Sequence, residues 1–205
     1  MSEDVKTRIL DAAERLFAVK GFEATSVRQI CEEAGANVAL VSYHFGGKEK
    51  LLFALLDRAF PSDEVYAEID AVADPEERLN RFIIGYLDYA NEQQYVQKII
   101  SQEILMRSAR YSKIIETYTS PFWKRISRAL QEGRAQGKFE FSSLKAAVLN
   151  TIGALIYPHM APSDVMGIFE GEEEISTYEQ GEATRLYILR GLGVNPKAGE
   201  RGSER

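Results

Sequence analysis

The chain has 205 residues, of which 45 % are hydrophobic and 27 % charged, with a formal net charge of −6. That is enough apolar material for a sizeable core and too much for a disordered chain, and no overall basicity advertises nucleic acid or an anionic membrane. A single cysteine, Cys31, excludes an internal disulfide and a cysteine-only zinc site, and two histidines, His44 and His159, are too few for a multi-histidine metal centre, so no metal or cofactor is expected.

The chain opens Met-Ser-Glu-Asp, acidic where a secretory signal is basic. Its least polar run, 146–157, falls short of the roughly 20 residues that a membrane span needs. A soluble, cytoplasmic setting with no membrane partner is the expectation.

Ile9, Ala13, Leu16 and Phe17 recur on one helical face, and Gly21 closes that helix. A second helix begins at Thr25-Ser26, where Ser26 and Gln29 have capping-box spacing, and ends at Ala34 before Gly35. Asn37 caps a third, Val38 to His44, which Gly46-Gly47 breaks. A fourth starts near Lys48, carries Leu52, Leu55, Leu56 and Ala59 on one face, and stops at Pro61.

The period stays helical beyond. Leu79, Phe82, Ile83, Tyr86, Leu87 and Ala90 form one stripe, and Val96, Ile99, Ile100 and Ile104 another. Ser120-Pro121 reads as an N-cap followed by proline at the first helical position, restarting or kinking a helix between about Tyr111 and Gly137. Leu144, Val148, Ile152 and Leu155 make a further stripe that Pro158 ends. The segment 161–174, with Pro162, Gly167, Gly171 and a solvated run of glutamates at 172–174, reads as a mixed loop. A last helix covers Ile175 to Leu192, and the polar tail 195–205 is expected to be disordered. No segment alternates with period two, so the fold class is all-α.

The informative stretch is 25–50. Two short helices separated by Gly35-Ala36-Asn37 have the spacing of a helix-turn-helix. Around them stand Thr25-Ser26-Val27-Arg28-Gln29-Ile30, Ala34-Gly35 and Ser42-Tyr43-His44-Phe45-Gly46-Gly47-Lys48-Glu49-Lys50-Leu51-Leu52, after a leading helix with Ala12-Ala13, Leu16-Phe17 and Gly21-Phe22. Over about residues 5–56 this combination strongly resembles the DNA-binding domain of TetR-family transcriptional regulators. The resemblance implies a helix-turn-helix domain over 1–47 and a helical regulatory and dimerisation domain over 48–194.

It also implies roles. Thr25, beside Ser26 at a helix N-terminus, and Lys48, at the start of the fourth helix, are the positions that hold backbone phosphates, as free amides and the helix dipole favour anions there. Val38, Ala39 and Leu40 form the base-reading first turn, apolar and suited to thymine methyls. Arg28 is the candidate for a guanine contact, and Tyr43 and His44 match the aromatic pair that packs on phosphate and sugar. Ser42 stands where many members carry tyrosine, and it retains a hydroxyl for a phosphate. Residues 1–60 hold eight Lys and Arg against nine Asp and Glu, so binding depends on where the charges are placed.

Beyond residue 61 there is no phosphate loop, metal cluster or nucleophile–histidine pairing. The resemblance implies a homodimer, with the helices at about 142–158 and 175–192 forming a four-helix interface in which Leu144, Val148, Ile152, Leu155, Leu186 and Leu189 face the partner as well as their own core. It also implies a small-molecule pocket. The aromatics Phe82, Tyr86, Tyr89, Phe122 and Trp123 near the Pro121 kink, with Glu103, Arg107, Asn150 and His159 as polar anchors, are the candidate lining for an apolar or aromatic ligand. Each has a plainer reading: Trp123 and Tyr118 as core, His159 as a helix cap, Cys31 as a small buried residue and Phe45 as an anchor of the third helix. The function expected is a ligand-responsive repressor, not an enzyme, that binds a pseudo-palindromic operator in double-stranded DNA. The alternatives are an architectural DNA-binding protein without a ligand, and a small helical enzyme.

Overall fold

Helix α1 (Ser2–Lys20) turns Ile9, Ala12, Ala13, Leu16 and Phe17 inward, the face that the sequence stripe marks, and ends where Gly21 takes φ +82°. In the computed structural model, which describes residues 2–161 and 175–194, it is followed by α2 (Val27–Ala34), α3 (Ala39–Phe45) and α4 (Lys48–Ala59). Then come α5 (Asp63–Asp70), α6 (Pro75–Glu92), α7 (Gln94–Leu105), α8 (Tyr111–Ile114), a π-helical turn (Ile115–Thr119), α9 (Ser120–Ala135), α10 (Leu144–Met160) and α11 (Thr177–Gly191). No strand occurs among the described residues, and none of their helices is long and apolar enough to cross a membrane. The glutamates at 172–174, the remainder of the expected loop from 162 on, and the tail 195–205 lie outside the described residues.

The chain folds as two compact units. The first comprises residues 1–61 and 93–118, the second 62–92 and 119–205. The first unit thus draws α7 and α8 in beside α1–α4, beyond the 1–47 segment read from the sequence. Its core joins Phe17, Ile30, Val41, Leu51, Leu52, Leu55 and Leu56 to Val96, Ile99 and Ile100 of α7. Each such side chain contributes about 1.5–3 kcal/mol by leaving water. Gln102 ties α7 to α1 by donating to the Ala18 carbonyl at 3.2 Å.

The second unit packs α6 against α9 and α11, and α10 against α9, around Leu79, Phe82, Ile83, Ile126, Leu130, Leu155 and Leu189. Gly133 on α9 admits the buried Phe139 ring so closely that a Cβ there would stand 2.1 Å from Phe139 Cδ2.

Three readings of the sequence are corrected. Ser120 does not cap a new helix: Thr119 before it is helical (φ −94°, ψ −43°), and the run continues from α8 through the π turn into α9. Proline lacks an N–H and its ring crowds the carbonyl four residues back, so a widened turn just before Pro121 meets both needs. Pro158 does not end α10, which runs on to Met160, with Ala161 N–H donating to the Tyr157 carbonyl. And α5 is an additional helix without a fully buried residue, whose Tyr66 and Ile69 pack against the second core.

Candidate nucleic-acid interface

Helix α2 starts with the capping box that its sequence spells. Ser26 Oγ accepts from Gln29 N–H at 3.2 Å, and Gln29 Oε1 accepts from Ser26 N–H at 2.9 Å. It stops at Gly35 (φ +59°), whose N–H reaches back to the Cys31 and Glu32 carbonyls. Asn37 Oδ1 accepts from Ala39 N–H at 2.9 Å and so starts α3, which Gly46 closes in the left-handed region (φ +72°). Two short helices are thereby fixed by local hydrogen bonds.

On α3, Val41 and Phe45 are buried, which turns the rest of the helix outward. Val38, Ala39 and Ser42 are exposed, Leu40 and His44 half-buried, and the Tyr43 ring is 82 % exposed, edge-on to His44 at 4.9 Å between centroids. Ser26 and Arg28 on α2 are exposed as well. Arg28 lies in a solvent-facing pair with Glu32 at 2.9 Å, the kind of contact a competing partner displaces easily.

Thr25 and Lys48 are placed differently. Thr25 is 1 % exposed, and its hydroxyl donates to the Gly21 carbonyl at 2.8 Å, with the Leu16 carbonyl at 3.2 Å. Lys48 reaches back over the preceding turn and donates to the carbonyls of Phe22 and Thr25, both at 2.8 Å, with its ammonium 4.2 Å from the centre of the Phe22 ring. Both side chains thus fasten the turn that launches α2. For Lys48 the sequence could not signal this, because its partners lie 26 and 23 residues away.

The charge deficit read over residues 1–60 changes once α7 and α8 join the unit. Residues 1–61 and 93–118 hold twelve Lys and Arg against eleven Asp and Glu, a formal charge of +1, and the rest of the chain carries −7. Several acids of the unit are engaged: Asp11 and Glu14 with Arg58, Glu33 with Arg15, Glu23 with Arg110, and Asp57 with the Tyr118 hydroxyl.

The candidate ligand residues divide. In the second unit Tyr86 stacks on Phe122 (5.2 Å, 23°) and lies near Tyr89 (6.2 Å) and His159 (6.5 Å), with Phe82 edge-on to Phe122. Burial pushes the Tyr86 phenol far above its ordinary range and holds the His159 imidazole below its own. Trp123 is 38 % exposed. Asn150 lines a separate groove of about 270 Å³ between α10 and α11, with Thr151, Tyr187 and Glu140. Glu103 and Arg107 belong to the first unit, where Glu103 is committed to Arg110 and Ser108, and Arg107 sits exposed at φ +44°. The sequence stripes could not separate them from the aromatics, because helical spacing says nothing about which core a helix joins.

The inward and outward faces of the last two helices also differ from expectation. Ile152, Leu155 and Leu189 are buried in their own unit, Leu144 and Val148 pack against that core, and Leu186 is half-buried. The exposed row on α10 is instead Leu149, Gly153, Tyr157 and Met160, and on α11 Ala183 and Tyr187.

Residues 9–55 match the family model described as bacterial regulatory proteins, tetR family. The chain is 31 % identical over 137 residues to the transcriptional repressor KstR2 of Mycobacterium tuberculosis, covering 64 % of this chain and 67 % of that protein. It is 26 % identical over 166 residues to the probable regulator YttP of Bacillus subtilis, covering 79 % and 80 %. The crystal structure of the TetR family regulator PfmR from Thermus thermophilus superposes with a TM-score of 0.71 at 27 % identity, covering 90 % of this chain and 98 % of that one.

Proposed function

The chain belongs to the TetR family of bacterial transcriptional regulators, and from that premise we propose that it represses transcription as a homodimer on a pseudo-palindromic operator and is released by a small apolar or aromatic molecule. The observation that carries the reading is the outward face of α3, where Val38, Ala39, Ser42 and Tyr43 stand exposed on a helix pinned by the buried Val41 and Phe45. These side chains, with Leu40, His44 and the exposed Ser26 and Arg28 of α2, meet the major groove and its phosphates. Thr25 and Lys48 shape the α2 start, and Lys48 keeps a third N–H for a phosphate.

Selection of bound duplexes from a random pool tests this directly, with an enriched two-fold site expected and half-sites about 34–36 Å apart or a multiple of one turn. On that site Arg28→Ala relaxes preference at one or two base pairs. Recovery of no preferred sequence, or of a preferred site that Tyr43→Ala and Arg28→Ala bind unchanged, refutes the assignment of this face.

The partner surface is assigned to the outward rows of α10 and α11, which offer exposed apolar side chains beside the small residues Gly153 and Ala183. A Cβ at Gly153 meets nothing within 4 Å in the single chain. Gly153→Glu therefore leaves the fold intact and splits the dimer, which sedimentation reads. A helical interface of this obligate kind buries more than about 2,000 Å² in total.

The ligand is assigned to the Phe82, Tyr86, Tyr89, Phe122 and His159 cluster, which brings a phenol and an imidazole into an apolar interior, the composition of a small-molecule site. Operator release by members of a lipophilic panel, lost in Phe122→Ala, is the expected result.

A further inference from the structure

Arg110 stands between α7 and α8 with its side chain 7 % exposed, and its guanidinium reaches both α7 and the turn that launches α2. Nε donates to Glu103 Oε2 at 2.8 Å and Nη2 to Glu103 Oε1 at 3.2 Å, a two-pronged grip on a carboxylate that is itself buried on α7. The same Nη2 reaches Glu23 Oε1 at 2.9 Å, and the guanidinium carbon lies 3.7 Å from the centre of the Phe22 ring. Lys48 holds the other features of that turn, the Phe22 ring and the carbonyls of Phe22 and Thr25.

Two cations therefore meet on one aromatic ring, one borne by the helix after the helix-turn-helix and one by a segment about sixty residues further on. A buried guanidinium is costly to desolvate, and a core seal of this size needs no charge. Its planar fork does what an apolar residue cannot: it fixes the angle between a carboxylate on one helix and a ring on another element.

We propose that Arg110 is a positioning residue for DNA recognition, clamping the Phe22–Glu23 turn to Glu103 of α7 so that the α7–α8 segment sets where α2 and α3 stand. The clamp rests on the DNA-reading face assigned above.

The test separates positioning from mere support. Arg110→Met leaves Glu103 buried without its partner and is expected to melt early, so the informative protein is the double variant Glu103→Leu/Arg110→Met, in which both charges give way to apolar groups of similar size and stability returns. Binding is measured to the duplex selected by the wild-type chain and to a scrambled duplex at the same low salt. The expected result is a wild-type melting temperature with affinity for the selected duplex down by about tenfold or more and affinity for the scrambled duplex within about twofold, because loss of register removes base contacts before phosphate contacts. Glu23→Gln, at a side chain 82 % exposed, gives the same signature more weakly with no change in melting. If the double variant regains both folding and full discrimination, Arg110 only supported the core and the proposal is overturned. Parallel loss on both duplexes overturns it too. Failure of the double variant to fold passes the decision to Glu23→Gln, whose unchanged discrimination overturns the clamp. A wild-type chain that prefers no duplex removes the DNA-reading face and the clamp together.

Discussion

The two compact units pair their buried charges alike, Arg110 with Glu103 in the first and Arg78 with Glu132 and Arg185 with Glu182 in the second, and differ in what surrounds their other polar groups. In the first, the buried Thr25, Glu103 and Arg110 are all bonded within the unit, and each bond fixes the turn before α2 or the helices beside it. In the second, an aromatic cluster holds the Tyr86 phenol and the His159 imidazole among rings, where burial keeps both uncharged. The first pattern spends its polar bonds on a single arrangement of short helices. The second adds to its paired charges a ring cluster around a phenol and an imidazole, the region assigned above to the ligand.

Substitutions can break or sharpen that contrast. The largest effect is expected from Phe17→Ala, which empties a fully buried site in the first core and costs about 3–5 kcal/mol. Denaturant titration should show it, with DNA binding lost alongside. Gly133→Ala comes next, since its methyl enters the space of the Phe139 ring. Overpacking of this kind costs about 1–3 kcal/mol, and near-ultraviolet circular dichroism should report loosened aromatic packing. Tyr118→Phe removes a 2.6 Å bond to Asp57 Oδ1 inside the first unit. A loss of about 0.5–1.5 kcal/mol is expected.

The smallest effect distinguishes the two interiors by pH. His159 has its pKa lowered from 6.5 by burial, so between the lowered value and 6.5 the unfolded chain binds more protons than the folded one. The stabilisation is whole above 6.5 and is lost as pH falls below it. His159→Gln should flatten the melting temperature against pH from about 7.5 to 5.5, a span that brackets the ordinary histidine range. An unflattened curve would mean that His159 is not the group concerned.

The reading head was legible because its signals are local. Ser26 with Gln29 is a capping box, Gly35 and Gly46 close their helices, and Asn37 bonds the first amide of α3 from one residue before its N-cap Val38, all within four residues. Phe45 was legible as the anchor of α3, and the structure adds Val41, four residues before it, to the same buried face. Thr25 and Lys48 were visible as positions, but their bonds to Leu16, Gly21 and Phe22 arise from the way the chain folds back, which no periodicity records. The same holds for Glu103, buried on α7 in the first unit, and for Arg107, exposed in the turn past the end of that helix. On α10 the sequence marked an apolar stripe correctly as a stripe. The helix is apolar on much of its circumference, so Leu149 and Tyr157 outside compete with Ile152 and Leu155 inside, and only packing decides between them.

The π turn at 115–119 has a consequence for counting. Side chains four apart on a regular helix share a face, and the π turn shifts that count for the residues after it. The wider turn absorbs one residue beyond the regular repeat, a phase slip of about 100° in the helical wheel. Removing a single residue from 115–119 would therefore be a frame error rather than a local edit, because it shifts by about 100° the register at which α9 follows α8. When chains of this kind are aligned, a one-residue gap belongs inside this helix as legitimately as in a loop.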